Sequence, residues 1–266
     1  MAVDPKTWER QRRSFEDTAA AYDRFRPSYP DAIFTDIRAY ADLAAGDDRI
    51  LEIACGTGKA TVKIASWPHP IVALEPAGAM ADVARANLEG HNNVEVITTT
   101  FEDWRIERNV FGLVLCAQAF HWLDPPTRLQ RISDALYAHG SAAILANIQV
   151  TPDDNLPFFE RVQDVYRVHA PALMHKGPFR RPDDLPSHPF EGSDLFVDLE
   201  QVGYPWSWTL RAQDYVALMS THSVHAALPA DDRMRLTDGI AELIETGFGG
   251  SVTEHYVALV GLARRA

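Results

Sequence analysis

Ile50-Leu51-Glu52-Ile53-Ala54-Cys55-Gly56-Thr57-Gly58-Lys59 is the stretch on which the reading of this chain turns. Ile50 to Ile53 is a short apolar run and predicts a buried strand. Gly56 and Gly58 then let the backbone turn sharply and let a ligand lie against it. Lys59 to Ser66 predicts a helix. Spacing separates the ligand classes that use such turns. A phosphate-cradling loop would need Gly at position 53 and Ser or Thr at 60; Ile53 and Ala60 exclude it. A dinucleotide fingerprint needs a third Gly or Ala near position 61, where Thr61 stands.

Downstream, Ile71 to Leu74 predicts a second strand that ends on Glu75, seventeen positions after Gly58. A carboxylate there can accept both hydroxyls of a ribose in bidentate fashion. Standing alone it would read as a solvated strand-end acid. Strand, glycine turn, helix, strand and acid in one short stretch select the ligand reading.

The alternation continues. Pro76 suits a first helical turn, and Met80, Val83, Ala84 and Leu88 line that helix. Val94 to Thr99 and Phe111 to Cys116 are further strands. Pro125 and Pro126 open a helix lined by Leu129, Ile132 and Leu136, and Ala142 to Ala146 is a fifth strand. Strands that are apolar throughout, alternating with helices, imply a parallel sheet covered on both faces. Right-handed crossovers make it doubly wound, with ligands at the C-terminal strand ends.

Outside this core, residues 6–24 predict a charged helix, and Ile33, Phe34, Ile37, Tyr40 and Ala44 share one face of a second. Gly46-Asp47-Asp48 ends it. Regularity stops near Val150. Residues 151–192 hold seven prolines and one helical pattern, Leu156 to His169, and read as an insertion or lid. Val197 to Leu210 includes a strand, helices follow near 212–221 and 231–246, Gly247 to Gly250 turns, and His255 to Leu262 is a last strand. The expected organisation is a helical cap over 1–45, a cofactor-binding core over 46–150, a substrate-side insertion over 151–200, and C-terminal strands with inserted helices over 201–266.

Composition sets limits. The formal net charge is −12 over 266 residues, which opposes loose attraction to nucleic acid. Cys55 and Cys116 are the only cysteines, as in a protein of a reducing compartment. Met1 to Tyr22 lacks the apolar core of a signal peptide, and no run of about eighteen apolar residues spans a membrane. A cytoplasmic monomer or homodimer is expected, with neither nucleic-acid nor membrane partners. Ten histidines without ligand spacing give no reason to expect a metal.

Residues 50–146 resemble the class I S-adenosylmethionine-dependent methyltransferases, of the subgroup often called type 11. That resemblance implies an α/β, Rossmann-like, mostly parallel seven-stranded sheet with an antiparallel last strand, and S-adenosyl-L-methionine as cofactor. Glu52 through Gly58, with Ala54 and Gly56, looks like the family's first motif, whose strand carboxylate organises the loop around the methionyl amino group. Glu75, followed by Pro76, matches the ribose-binding acid. Met80 matches the apolar side chain on adenine. Phe101 offers its backbone N–H to adenine, and Glu102 or Asp103 takes the exocyclic amine. Phe111 to Trp122 resembles the fourth strand and active-site loop, placing Cys116 and Ala117 beside the cofactor. Tyr22, Arg26, Pro27, Tyr29 and Pro30 are similar to the N-terminal segment of trans-aconitate methyltransferases and add Tyr22 and Arg26 to the cofactor site.

The sequence departs from the pattern at three places. Ala54 replaces the motif's first glycine and is expected to keep φ below zero. Gly112 replaces the usual Asp of the fourth strand. Ala138-His139-Gly140 replaces Pro-Gly-Gly.

The expected chemistry is methyl transfer to a small molecule, at a carboxylate or hydroxyl oxygen. An N- or C-methyltransferase and a non-catalytic binding protein are the alternatives. A sulfonium donor leaves the protein to align the nucleophile and exclude water. Tyr22 either faces the sulfonium or packs the helix on the core. His121 is the candidate catalytic residue, as proton acceptor or as substrate-binding group. Arg180 and Arg181 read as solvated rather than as a clamp, and His169, His175, His222 and His225 as surface or pocket-wall residues.

Overall fold

The computed structural model describes residues 19–44 and 48–266. Of the helix expected over 6–24, residues 19–25 are helical (α1); the remainder lies outside the described residues, as do Gly46 and Asp47. Helices α2 (Asp31–Ala41), α3 (Thr61–Ile64), α4 (Gly78–Asn87) and α5 (Arg128–Ala135) alternate with strands β1 (Arg49–Ile53), β2 (Ile71–Leu74), β3 (Val94–Ile97), β4 (Phe111–Ala117) and β5 (Leu136–Val150). Then come α6 (Leu156–His169), β6 (Phe196–Arg211), α7 (Ala212–Ser220), α8 (Ser223–Ala226), α9 (Ala230–Gly247) and β7 (Ser251–Arg265).

The seven strands form one sheet in the order β3-β2-β1-β4-β5-β7-β6. The pairs β1–β2, β1–β4, β2–β3 and β4–β5 are parallel. β7 runs antiparallel to both of its neighbours, β5 and β6. The fold is therefore the expected Rossmann-like one, with the last strand reversed. The chain leaves β1 in one direction across the sheet and returns on its other side at β4. That reversal opens a crevice at the C-terminal ends of β1 and β4, where Ile53 pairs with Cys116.

Continuous apolar strands give the sheet two buried faces. On one, Ile33, Phe34 and Ile37 of α2 pack with Ile64 and Trp67 against Leu113, Leu115, Leu145 and Val260. α4 completes that face through Ala84 and Leu88 against Ala73. On the other, Ile132 and Ala135 of α5 pack with Phe101, Phe190 and Phe196 against Leu51, Leu74 and Val114. A third cluster joins α6, α7 and α9 through Phe158, Tyr215, Leu236 and Ile240.

Several element bounds differ from expectation. α3 holds four residues rather than eight; its coil starts earlier, with Val62 N–H donating to the Gly58 carbonyl, and Pro68 prevents continuation. Pro76 precedes α4 instead of opening it, because the Glu75 carboxylate holds the extended Ala77 by its N–H. Pro125 and Pro126 stand before α5 in the same way, and Leu136 begins β5. β5 reaches fifteen residues because β7 pairs with it from Ser141 to Val150.

A pocket at the glycine turn

The turn after β1 is built from unusual backbone. Gly56 and Gly58 have φ of 61° and 83°, a region that favours glycine. A Cβ at Gly58 would lie 3.5 Å from Ala84, so the glycine also lets α4 approach. Ala54 has φ 54°, against the expectation that it stays below zero. The residue takes the left-handed conformation of the glycine it replaces, at a cost of about 1 kcal/mol.

Glu75 holds the turn from the next strand. Gly56 N–H donates to its Oε2 at 2.9 Å and Ala77 N–H to its Oε1 at 2.8 Å. The Met80 methyl packs over Gly56, at 3.9 Å from where a Cβ would stand.

Glu52, on β1, is the electrostatic centre. It is fully buried, and neither carboxylate oxygen has a hydrogen-bond partner. Burial pushes its pKa up to about 8; the Glu75 charge adds to the rise, and the nearby Thr61 hydroxyl opposes it without a hydrogen bond of normal geometry. A buried carboxylate with no donor is costly unless a cation meets it. This donor-poor acid beside a glycine cradle fits a ligand that carries an ammonium group.

Tyr22, Arg26, Tyr29, Ala54, Gly56, Lys59, Ala117 and Gln118 line one pocket over the turn. α1 is tied there by Lys59 to the Asp23 carbonyl and by Asn87, which donates to Asp23 and to the Thr57 carbonyl. The Arg26 guanidinium stacks over the Tyr22 ring at 5.4 Å. Cys116 is fully buried at the end of β4, and burial raises its thiol to about 12. Both cysteines are free thiols.

Phe101 is buried beneath Arg131, whose guanidinium lies 5.0 Å from the ring centre. Glu102 accepts the Asp124 N–H through Oε1 at 3.1 Å. Asp103 is exposed and closes a local turn with the Thr100 hydroxyl. Of the two acids, Glu102 is the one that faces into the protein.

His121 stands apart from these residues. It lies in a single 3-10 turn, Phe120–Trp122, is exposed, and is not among the residues that line the pocket. Partial desolvation, then the Arg128 charge, lower its pKa, so it is neutral at pH 7. Arg180 donates to the nearby Asp184 carbonyl, and Arg181 donates to the Thr151 carbonyl just past the end of β5. Among the described residues no group of three or more His, Cys, Asp or Glu is placed to hold a metal, and no helix is long and apolar enough to cross a membrane.

Two residues of this region carry no motif signal. Gln118 follows β4 with φ 59°, and its Oε1 accepts the Asn147 N–H. Asn147 in turn donates to the Ser28 carbonyl and accepts from Trp206 Nε1. These bonds join β5, β6 and the N-terminal segment around the pocket. The positive φ is visible only in the fold, although a polar residue after a buried strand hints at it.

Residues 50–140 match a family described as a methyltransferase domain. The chain is 29% identical to an uncharacterized methyltransferase-like protein of Schizosaccharomyces pombe, over 88% of this chain and 87% of that one. It is 34% identical to a malonyl-[acyl-carrier protein] O-methyltransferase of a Paenibacillus species, over half of each chain. The structure of a putative type II methyltransferase from Anaeromyxobacter dehalogenans superposes with a TM-score of 0.59 at 18% identity, covering 90% of this chain and 98% of that one.

Proposed function

Because this chain is a class I S-adenosylmethionine-dependent methyltransferase, we propose that it transfers the methyl group to an oxygen of a small molecule, a carboxylate or a hydroxyl. The observation that carries the cofactor placement is Glu52, a buried carboxylate without a donor beside the glycine cradle. Bound there, S-adenosylmethionine supplies an electrophilic methyl on a sulfonium. Glu52 receives the methionyl ammonium. Glu75, which the Gly56 and Ala77 N–H groups hold at the turn, accepts the ribose hydroxyls. Ala54, Gly56 and Gly58 provide the backbone against which the cofactor lies, and Pro76 follows the ribose acid. Met80, Phe101 and Glu102 enclose the adenine. Tyr22 and Arg26 close the pocket from α1, and Cys116 and Ala117 form its floor at β4.

The residues align the acceptor and exclude water, which is where the catalytic gain of such a site arises. His121 is neutral at pH 7, the state required to accept a proton from a hydroxyl acceptor. A carboxylate acceptor needs no base, and His121 then orients it. The relative named for O-methylation supports oxygen as the acceptor atom. The net charge of −12 supports a small molecule over nucleic acid. We place the protein in the cytoplasm, as a monomer or homodimer. The acceptor side falls to the insertion over 151–200 and to the helices inserted within 201–266.

Calorimetric titration with S-adenosylmethionine and, separately, with NAD tests the site; binding of the first alone is expected. Glu75→Gln should weaken that binding by about 10- to 100-fold, the value of a charged hydrogen-bond pair. Unchanged affinity removes the ribose assignment. Labelled methyl recovered on nitrogen or carbon, in a screen of carboxylic acids, phenols and amines, overturns the oxygen reading.

A further inference from the structure

Gln118 follows β4, is half-buried, lines the glycine-turn pocket and has no part in the cofactor contacts named above. Its side-chain amide has one possible orientation. The atom 3.1 Å from the Asn147 backbone nitrogen meets a group that can only donate, so that atom is Oε1 and the other is the NH2 group. The Gln118 backbone N–H donates to the Leu145 carbonyl at 2.8 Å, so backbone and side chain are both held to β5. Asn147 is fixed in turn by the Ser28 carbonyl and by Trp206 Nε1, each at 3.1 Å, and Tyr256 stacks on Trp206 with ring centres 4.9 Å apart. The Gln118 Nε2 group is left without a hydrogen-bond partner among the described residues.

Other donors line the same space. Arg26 donates through Nη2 to the Thr221 carbonyl at 3.2 Å, and Lys59 donates to the Asp23 carbonyl. The buried Thr57 hydroxyl has no partner. The volume these residues enclose is about 40 Å³. At roughly 10–15 Å³ for each water-sized group, it has room for about three such groups. That is the size of a carboxylate and not of a whole cofactor.

We propose that the Gln118 NH2 group faces this space and receives there the carboxylate of the cofactor's amino-acid head. This rests on the reading that the pocket binds S-adenosylmethionine with its ammonium at Glu52. That head is a zwitterion whose two charged groups share one carbon, so both are buried together. Glu52 offers acceptors for the ammonium and no donor. The carboxylate needs donors, because a buried charge without hydrogen bonds is costly. Gln118 supplies them with its oxygen already committed to β5, so the amide loses little freedom when the ligand arrives. Gln118 is thus a cofactor-binding residue, and the Asn147–Trp206 pair positions it.

The test compares three nucleosides on the full chain by calorimetry: S-adenosylhomocysteine, its decarboxylated analogue, and methylthioadenosine, which lacks the whole head. The wild type should prefer S-adenosylhomocysteine to the decarboxylated analogue by at least about tenfold, as for charge-assisted hydrogen bonds. Gln118→Glu keeps an oxygen for the Asn147 N–H and replaces the NH2 group by a second, charged oxygen. It should weaken S-adenosylhomocysteine by about tenfold or more while the decarboxylated analogue and methylthioadenosine stay within about twofold of wild type. Gln118→Leu should lose the same preference to a smaller extent. In the wild type, the Gln118 side-chain amide signals should move with S-adenosylhomocysteine and stay in place with the decarboxylated analogue, a reading that needs no variant. Overturning results are a wild type without the preference, a preference that survives Gln118→Glu, equal weakening of all three nucleosides, or amide signals that both head-bearing ligands move alike. If Gln118→Glu slows methyl transfer with S-adenosylhomocysteine binding unchanged, the amide serves the acceptor instead and the proposal falls. A wild type that binds none of the three nucleosides removes the cofactor reading itself.

Discussion

Glu52 and Ala54 each hold a state that their residue type resists. A free glutamate is ionised at neutral pH, whereas Glu52, raised to about 8, is mostly protonated in the free protein. An ammonium ligand requires the ionised form, so cofactor binding at pH 7 should release a proton. Affinity should rise about tenfold per unit from pH 6 to pH 7 and level off near pH 8. Calorimetry in two buffers of different ionisation enthalpy reads the proton directly; a flat profile would show that Glu52 is already charged. Ala54 is strained in its left-handed conformation. Ala54→Gly relieves that strain but adds freedom to the unfolded chain, so the net gain should be up to about 1 kcal/mol. An unchanged or lower urea midpoint would mean that the methyl packs better than the backbone suffers.

At the scale of elements, Gly112 and Phe158 show where packing decides composition. A Cβ at Gly112 would stand 2.8 Å from Leu43 and 2.9 Å from the Tyr137 hydroxyl, with Asp48 at 3.1 Å. The aspartate usual at this place in the family has no room here. Gly112→Asp should cost about 1–3 kcal/mol through overpacking, more if the new charge is trapped beside Asp48. A variant as stable as wild type would mean that the loop before β1 yields freely. Phe158 joins α6 to α7 and to the end of α9, edge-on to Tyr215 at 5.3 Å and to Phe248 at 5.2 Å. Phe158→Ala should destabilise by about 3–5 kcal/mol. Thermal unfolding followed by tryptophan fluorescence measures it, and a shift under 2 °C would exclude a central role for this ring.

Across the whole molecule, four desolvated groups, three of them buried and His222 half-buried, set the pH range of stability. Glu52 and Glu254 titrate near 8 and 7 in the fold against 4.5 when free. The folded form therefore holds the extra protons, and stability falls as pH rises from 4.5 towards 8. His222 and His225 are depressed to about 3 and about 4 from 6.5, so the unfolded form takes protons first and stability falls as pH drops below 6.5. Between 4.5 and 6.5 the two effects oppose each other. The free protein should be most stable in that window and should lose melting temperature from pH 6.5 to pH 8.5. A melting temperature that climbs over that range would contradict the buried, protonated state of both glutamates.

Much of this was readable along the chain. Glycine spacing and apolar strands identify a doubly wound sheet with a ligand turn, because turn chemistry and burial on both faces are local demands on sequence; the cofactor class follows from the resemblance of residues 50–146 to a known family. The lengths of β5 and α3 were not readable, since the first depends on a strand more than a hundred positions later and the second on how a turn shares its hydrogen bonds. Nor was the left-handed backbone of Ala54, which side-chain identity argues against. The meeting of Arg26 with Thr221 joins residues 195 positions apart, and no spacing rule reaches that far. Sequence by itself determined the fold class and the cofactor end of the sheet, because those follow from periodicity and backbone sterics. Only the tertiary structure decided which buried polar groups stand without partners, because desolvation is a property of the packed whole and not of any segment.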